Sequence, residues 1–171
     1  MRTPLPTVLF VCTGNTCRSP MAAALFEAYA RRAGREDVRA ESAGISAREG
    51  LSAAAEAHRA LDGVASLASH RARRVDAPLV ERADLVVGLT RDHALRLRAI
   101  YPSAASRIIS FADLPGGANV SDPYLLEQPV YDQTRRHLER LFPVLLAELD
   151  HRAARARRKR IRGEGEGKSG A

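Results

Sequence analysis

The stretch VCTGNTCRSP, residues 11–20, decides the fold of this 171-residue chain. An apolar, β-branched run over residues 5–11 leads into it and predicts a buried strand. Ser19 and Pro20 end it and predict the start of a helix, because serine is a favoured N-cap and proline fits the first helical position. The polar residues between them therefore form a loop that leads from a strand into a helix.

The same alternation continues along the chain. Strands alternating with helices favour right-handed crossovers and a parallel sheet covered on both faces. The predicted fold class is therefore a three-layer α/β domain, and ligands of such sheets bind beyond the carboxyl ends of the strands, where Cys12 is expected. Further strands are predicted at 38–43, 84–89 and 107–111, and further helices at 52–61, 90–100 and 129–149.

The net charge of +7 is concentrated at one end of the chain. Residues 151–171 hold eight basic and two acidic side chains, a net charge of +6, which leaves +1 for residues 1–150. We predict one domain over residues 1–150 and a basic, disordered tail over residues 151–171, which ends in the low-complexity run GEGEGKSGA. Such a tail predicts an acidic partner or a polyanion; the alternative is a solvated extension of the last helix.

Composition excludes several other classes of protein. No apolar run approaches the roughly 20 residues of a transmembrane segment, and no signal peptide is recognisable, so we expect a cytoplasmic protein. The only cysteines are Cys12 and Cys17, which is too few for a disulfide framework. The sequence has no Cys-His cluster of the kind that binds zinc, and we expect neither a metal nor a cofactor.

The loop from Cys12 to Arg18 has the composition of an anion site. Backbone N–H groups of a glycine-containing loop and the positive end of the following helix together bind anions and stabilise a thiolate. Cys12 is therefore a candidate nucleophile. The planar guanidinium of Arg18 can hold two oxygens of a tetrahedral oxyanion, and the hydroxyl of Ser19 can donate to the sulfur. The Cys-x5-Arg-Ser spacing predicts a phosphatase.

Such a phosphatase also needs a general acid, which the loop lacks. Asp122 is favoured because the following proline holds it in an extended loop, where its carboxylate can project. The alternative is that Asp122 has only a structural role, as part of an Asp-Pro turn. The other candidates for the acid are Asp84, Asp113 and Asp132.

VCTGNTCRSPMA, residues 11–22, resembles the signature of the low-molecular-weight protein tyrosine phosphatases, a family that includes the bacterial protein-arginine phosphatases. The resemblance covers about residues 5–150 and implies a flavodoxin-like phosphotyrosine phosphatase I fold with a four-stranded sheet. It also implies hydrolysis of a phosphorylated protein through a phosphocysteine intermediate, with inorganic phosphate as product. It extends to Ser42-Ala43-Gly44, His70-Arg71, ADLVVGLT (83–90), Asp122-Pro123-Tyr124 and YDQTRRHLERL from Tyr131.

Position by position, the resemblance implies that Cys12 is the nucleophile, Arg18 the phosphate clamp, and Asp122 the general acid and then the base. It implies that Cys17 can form a reversible disulfide with Cys12; a small packed side chain is the alternative. The remaining implied residues are Thr13, Gly14, Asn15, Thr16, Cys17 and Ser19 around the phosphate, Asn15, Ser42 and His70 bracing the loop, and Thr13, Thr16 and Tyr124 in the substrate pocket.

Thr16 distinguishes the possible substrates. Members resembling the arginine phosphatases carry threonine there, so we favour phosphoarginine, with phosphotyrosine as the alternative. Departures from the family pattern are Ala23, where an acidic residue is usual, and Leu125, Leu126 and Glu127 after Asp-Pro-Tyr; the latter affect substrate preference. Rival interpretations are an arsenate reductase, for which the chain lacks further cysteines, a phosphate-binding module without catalysis, and a nucleic-acid-binding protein acting through its tail.

Overall fold

The computed structural model describes residues 5–166, in which strands and helices alternate. Short 3-10 helices follow α4 and β4. The elements are β1 (Thr7–Cys12), α1 (Arg18–Arg32), β2 (Arg39–Gly44), α2 (Ala55–Ala60), α3 (Ala77–Arg82), β3 (Leu85–Gly88), α4 (Arg91–Ile100), β4 (Ile108–Ser110) and α5 (Gln128–Glu166).

All four strands are parallel and lie in the order β2-β1-β3-β4. Cys12 at the end of β1 pairs with Gly44 of β2, and Val11 pairs with Gly88 of β3. The predicted α/β fold with a four-stranded parallel sheet is therefore confirmed. Because the carboxyl ends of parallel strands meet at one edge, the loops after β1, β2 and β3 surround a common site.

The two faces of the sheet are covered by different helices. Val8 and Phe10 of β1 pack in a cluster with side chains of α1, α2 and α5, whereas Leu9 and Val11 pack with α3 and α4. This alternation follows from the two-residue period of a strand. Cys12 continues the first set, so its side chain is directed toward the α1 side of the sheet.

Two glycines let the neighbouring loops approach the strand ends closely. A Cβ atom on Gly44 would lie 2.6 Å from the carbonyl oxygen of Thr13, and one on Gly88 would lie 2.7 Å from the backbone nitrogen of Ala94. Backbone atoms cannot rotate away as a flexible side chain can. The loop after β1 and the start of α4 therefore pack directly on the sheet edge.

The first and third helices differ from the sequence predictions. Helix α1 begins at Arg18, so Ser19 lies inside its first turn instead of capping it, and the Cys17 side chain makes no cap hydrogen bond. Helix α3 was not predicted, although Asp76 caps it by accepting from the N–H of Leu79. Its six residues are too few for a periodic pattern to be recognised.

The last helix is longer than predicted, and most of the segment that was predicted to be a disordered tail is helical. Helix α5 continues to Glu166, so residues 151–166 are helical and not disordered. Alanine and arginine, which dominate residues 152–160, are strong helix formers. The guanidinium of Arg152 donates to Glu148 one turn earlier at 2.6 Å. Residues 167–171 lie outside the described part of the chain.

Candidate active site

Cys12 is buried at the point where β1 enters the loop, and two polar groups surround its sulfur. Sγ lies 2.9 Å from Oγ of Ser19, and the backbone N–H of Asn15 donates to it at 3.3 Å. The 15-residue helix α1 starts six residues later and directs its positive end toward the loop. Hydrogen-bond donors and a helix N-terminus both stabilise a thiolate.

The hydroxyl of Ser19 can respond to the charge on Cys12. Its single proton has two acceptors, the Cys12 sulfur and the carbonyl oxygen of Ala43 at 3.2 Å. With a Cys12 thiol, S–H donates to Ser19 and Ser19 donates to Ala43. With a thiolate, the Ser19 proton turns to the sulfur. The position inside α1 therefore gives Ser19 a role that a helix cap would not have.

Asn15 fixes the shape of the loop. It is fully buried and has φ 56°, a conformation that asparagine tolerates better than most residues. Its side-chain amide donates to Ser19 at 2.9 Å and to Ser42 at 3.0 Å, and its Oδ1 accepts from the backbone N–H of Arg73 at 3.0 Å. His70 donates to its carbonyl oxygen at 2.8 Å. The three residues predicted to brace the loop therefore meet here.

Arg18 and Asp122 meet although 104 positions separate them. Nη2 of Arg18 lies 2.9 Å from Oδ2 of Asp122, and Nη1 donates to the carbonyl oxygen of Val120 at 3.1 Å. The Arg18 side chain is 7 % exposed and that of Asp122 is 53 % exposed. A buried cation and an accessible carboxyl group therefore lie side by side, with the carboxyl group facing the opening.

The three other candidate acids lie elsewhere. Asp84 accepts from the backbone N–H of Thr7, Asp113 caps a 3-10 helix by accepting from the N–H of Ser110, and Asp132 accepts from the amide of Gln128. The hydrogen bonds from Ser110 hold the pKa of Asp113 below its usual value. Of the four aspartates, Asp122 alone lines the cavity that contains Cys12.

A cavity of about 430 Å³ opens above the loop. Residues 12–18, Asp122 and Tyr124 line it. Ser19, which was predicted to contact the phosphate, does not line the cavity; with Ser42 and His70 it supports the loop from behind. Thr16 is partly exposed within it. Lining residues that sequence reasoning missed are Ser46, Arg48, Leu51, Ser52 and Ala54, which no local motif identifies.

Cys17 is a buried free thiol. Its sulfur lies 3.3 Å from the hydroxyl of Tyr131 on α5. Burial raises the pKa of Cys17, and burial also raises the pKa of Tyr131. Both groups are therefore neutral near pH 7, and Cys17 in this structure packs as a small uncharged side chain.

His93 on α4 is a further part of the site that sequence reasoning missed, because an isolated histidine within a helix carries no motif. It is 4 % exposed and joins two hydroxyl groups: Nε2 lies 3.0 Å from Oγ1 of Thr13, and Nδ1 lies 3.1 Å from Oγ1 of Thr90. Burial, followed by the positive charge of Arg18, lowers the pKa of His93 to about 4. A neutral imidazole therefore links the loop to α4.

A buried thiol, an arginine and a carboxyl group around one strand-to-helix anion loop are typical of cysteine-dependent phosphatases. Comparison with known proteins gives the family. A sequence model for low molecular weight phosphotyrosine protein phosphatase matches residues 7–155. The chain belongs to this family and is a hydrolase.

Two kinds of curated relative are similar to the chain. The protein-arginine-phosphatase of Bacillus subtilis is 35 % identical over 144 residues, which is 83 % of this chain and 95 % of that protein. Low molecular weight protein-tyrosine phosphatase A of Mycobacterium tuberculosis is 36 % identical over 154 residues, 86 % of this chain and 94 % of that protein. Sequence identity alone therefore does not choose between the two activities.

One similar solved structure carries a phosphoryl group in its active site. It is a cysteine-to-serine mutant of the YwlE arginine phosphatase with a phosphorylated active-site serine. It is 34 % identical to this chain, superimposes with a TM-score of 0.78, and the match covers 84 % of this chain and 95 % of that one.

The burial of His93 predicts a loss of stability in acid. Its pKa is about 4 in the folded protein and near 6.5 when unfolded, so unfolding takes up a proton between these values. The contribution of His93 to the free energy of unfolding is complete above pH 6.5. About 3 kcal/mol of it is lost as the pH falls to 4. Urea unfolding across this range should show a shallower pH dependence for His93→Gln than for the wild type. His151→Gln, at an exposed position on α5, should keep the wild-type slope; equal slopes for all three proteins would contradict the account.

Proposed function

We propose that this chain hydrolyses phosphorylated proteins through a phosphocysteine intermediate on Cys12. The observation that carries the proposal is the 2.9 Å contact between Arg18 and Asp122 in the same cavity as the Cys12 sulfur. It brings a nucleophile, an oxyanion clamp and a proton-transfer group together. The phosphorylated active-site serine of the YwlE mutant supports transfer of the phosphoryl group to the corresponding position.

In the first step, the phosphoryl oxygens accept hydrogen bonds from the loop N–H groups and from Arg18. The Cys12 thiolate attacks phosphorus, the sulfur–phosphorus bond forms, and the bond to the leaving group breaks. Asp122 donates its proton to the leaving atom.

In the second step, the Asp122 carboxylate takes a proton from a water molecule that attacks phosphorus on the side vacated by the leaving group. The sulfur–phosphorus bond breaks and inorganic phosphate forms. Cys12 departs as a thiolate, which accepts hydrogen bonds from the Asn15 N–H and the Ser19 hydroxyl. Asp122 ends this step protonated, ready for the next turnover.

We propose phosphoarginine as the preferred substrate, with phosphotyrosine as the alternative. Thr16 lines the cavity with a hydroxyl group, which can accept a hydrogen bond from a guanidinium N–H. The protein-arginine-phosphatase activity named for the Bacillus subtilis relative supports this choice. Tyr124, 59 % exposed at the mouth, can stack on a phenol ring or on a guanidinium plane and so favours neither substrate.

Two finer proposals concern location and partners. No helix within residues 5–166 is long and apolar enough to cross a membrane, and a cytoplasmic location stays a prediction. We propose that an acidic partner or polyanion binds the basic end of α5. A second cavity, of about 730 Å³, supports this proposal, because its lining has more basic than acidic side chains: Arg82, Arg107, Arg152, Arg155 and Lys159 against Glu81 and Asp84.

The role of Asp122 predicts a dependence on the leaving group. In Asp122→Asn, kcat/KM for phenyl phosphate should fall about a hundredfold or more, because phenolate leaves poorly without a proton. The fall for p-nitrophenyl phosphate should be much smaller, since nitrophenolate is a stable anion. Asp132→Asn, an aspartate outside the cavity, should retain wild-type values for both. Equal losses for the two esters in Asp122→Asn would exclude it as the general acid.

The role of Thr16 predicts a change in substrate preference. Thr16→Ile removes the hydroxyl group and should lower the ratio of kcat/KM for phosphoarginine over phosphotyrosine peptides by about tenfold. Thr13→Val is the matched control, because it removes a threonine hydroxyl that bonds His93; it should change both activities by a similar factor. A wild-type preference for phosphotyrosine that Thr16→Ile leaves unchanged would overturn the assignment.

A further inference from the structure

The turn after Asp122 holds a leucine in a conformation that suits glycine. The N–H of Leu126 donates to the carbonyl oxygen of Pro123 at 2.9 Å, which closes a four-residue turn. Within it, Leu125 has φ 62°, where turns usually place glycine or asparagine. Yet its side chain is 83 % exposed, so it gains almost no burial within this chain. A strained backbone that gains no packing energy in return indicates that the residue serves a function other than stabilising the fold.

Leu125 is part of a larger exposed apolar surface. We call Leu51, Tyr124, Leu125 and Leu126 the apolar rim; they are 42, 59, 83 and 50 % exposed. Together they make up half of the eight exposed large hydrophobic side chains among the described residues. Clustered apolar side chains of this kind mark binding surfaces more often than isolated ones do.

The apolar rim is continuous with the candidate active site. Leu51 and Tyr124 line the same cavity as Cys12 and Arg18, and Leu125 and Leu126 follow Tyr124 directly in the chain. A phosphorylated side chain that reaches Cys12 leaves its own backbone and neighbouring residues at the cavity mouth. The rim therefore lies where residues that flank the phosphorylation site must pass.

We propose that the apolar rim binds apolar side chains adjacent to the phosphorylated residue of a protein substrate. This inference rests on the proposed phosphatase function and adds a preference for sequence context. Apart from the phosphate-clamping Arg18, the charged side chains that line the cavity are Arg48 and Asp122, one of each sign, so charge does not select an acidic or a basic neighbour. Burial of apolar surface is then the main source of discrimination.

The test compares two phosphopeptides that differ only in the flanking residues. Both carry whichever phosphorylated residue the wild type hydrolyses faster, with leucine on both sides in one and serine in the other. The wild type should show a kcat/KM about tenfold higher for the leucine peptide. In Leu125→Asn the ratio should fall toward one, while kcat/KM for p-nitrophenyl phosphate, which has no flanking residues, stays within about twofold of the wild type.

Two controls separate recognition from folding. Asparagine tolerates positive φ, so the melting temperature of Leu125→Asn should equal or exceed that of the wild type. Leu95→Asn replaces another leucine, 62 % exposed on α4 and outside the cavity lining, and should keep the full leucine preference.

Several results would overturn the inference. One is that the wild type hydrolyses the leucine and serine peptides equally well. Another is that Leu125→Asn keeps the wild-type preference for the leucine peptide. Equal losses with both peptides and with p-nitrophenyl phosphate would assign Leu125 to the placement of Asp122 instead. A dimer in sedimentation that dissociates in Leu125→Asn would assign the rim to contact between copies of this chain. Absence of p-nitrophenyl phosphate turnover by the wild type would reject the phosphatase proposal itself, and the rim with it.

Discussion

The buried, left-handed Asn15 is the constraint on which the rest of the site depends. Its amide and carbonyl groups bond to Ser19, Ser42, the backbone of Arg73 and the ring of His70, so three segments hold one residue: the start of α1, the end of β2 and the 70–73 loop. This conformation also directs the Asn15 N–H toward the Cys12 sulfur. Because every polar group of the residue is used, the loop keeps the shape of an anion site without help from a ligand.

Two non-glycine residues in the described part of the chain have a positive φ, Asn15 and Leu125, and the strain is offset differently at each. At Asn15, internal hydrogen bonds offset it and the side chain is fully buried. At Leu125, the side chain is exposed and little within the chain offsets the cost. The first residue shapes the catalytic loop, and the second shapes the entrance. On our proposals, the catalytic loop holds the reacting groups and Thr16, and the loop after Asp122 contacts the residues that flank the phosphorylated one.

Local patterns predicted the fold and the loop well, because strand, turn and helix signals act over a few residues. The Cys12–Arg18 loop and the parallel sheet are of this kind. Contacts between distant segments were not accessible. Asp122 was favoured over three other aspartates, and the resemblance implied it, but the sequence did not predict its contact with Arg18. His93 was missed for the same reason, since its partner Thr13 is 80 positions away. Ser19 was predicted both to cap the first helix and to donate its hydroxyl to Cys12; the hydroxyl lies 2.9 Å from the Cys12 sulfur, and only the cap is wrong.

The most direct test of the account is to trap the covalent intermediate. Wild-type protein would be mixed with a fast-leaving phosphate ester, quenched within one turnover, and examined by ³¹P NMR and by peptide mass spectrometry. The account predicts one phosphoryl group on the sulfur of Cys12, and no adduct or turnover in Cys12→Ala. Turnover without a phosphorus–sulfur species, an adduct on another residue, or activity that persists in Cys12→Ala would contradict it.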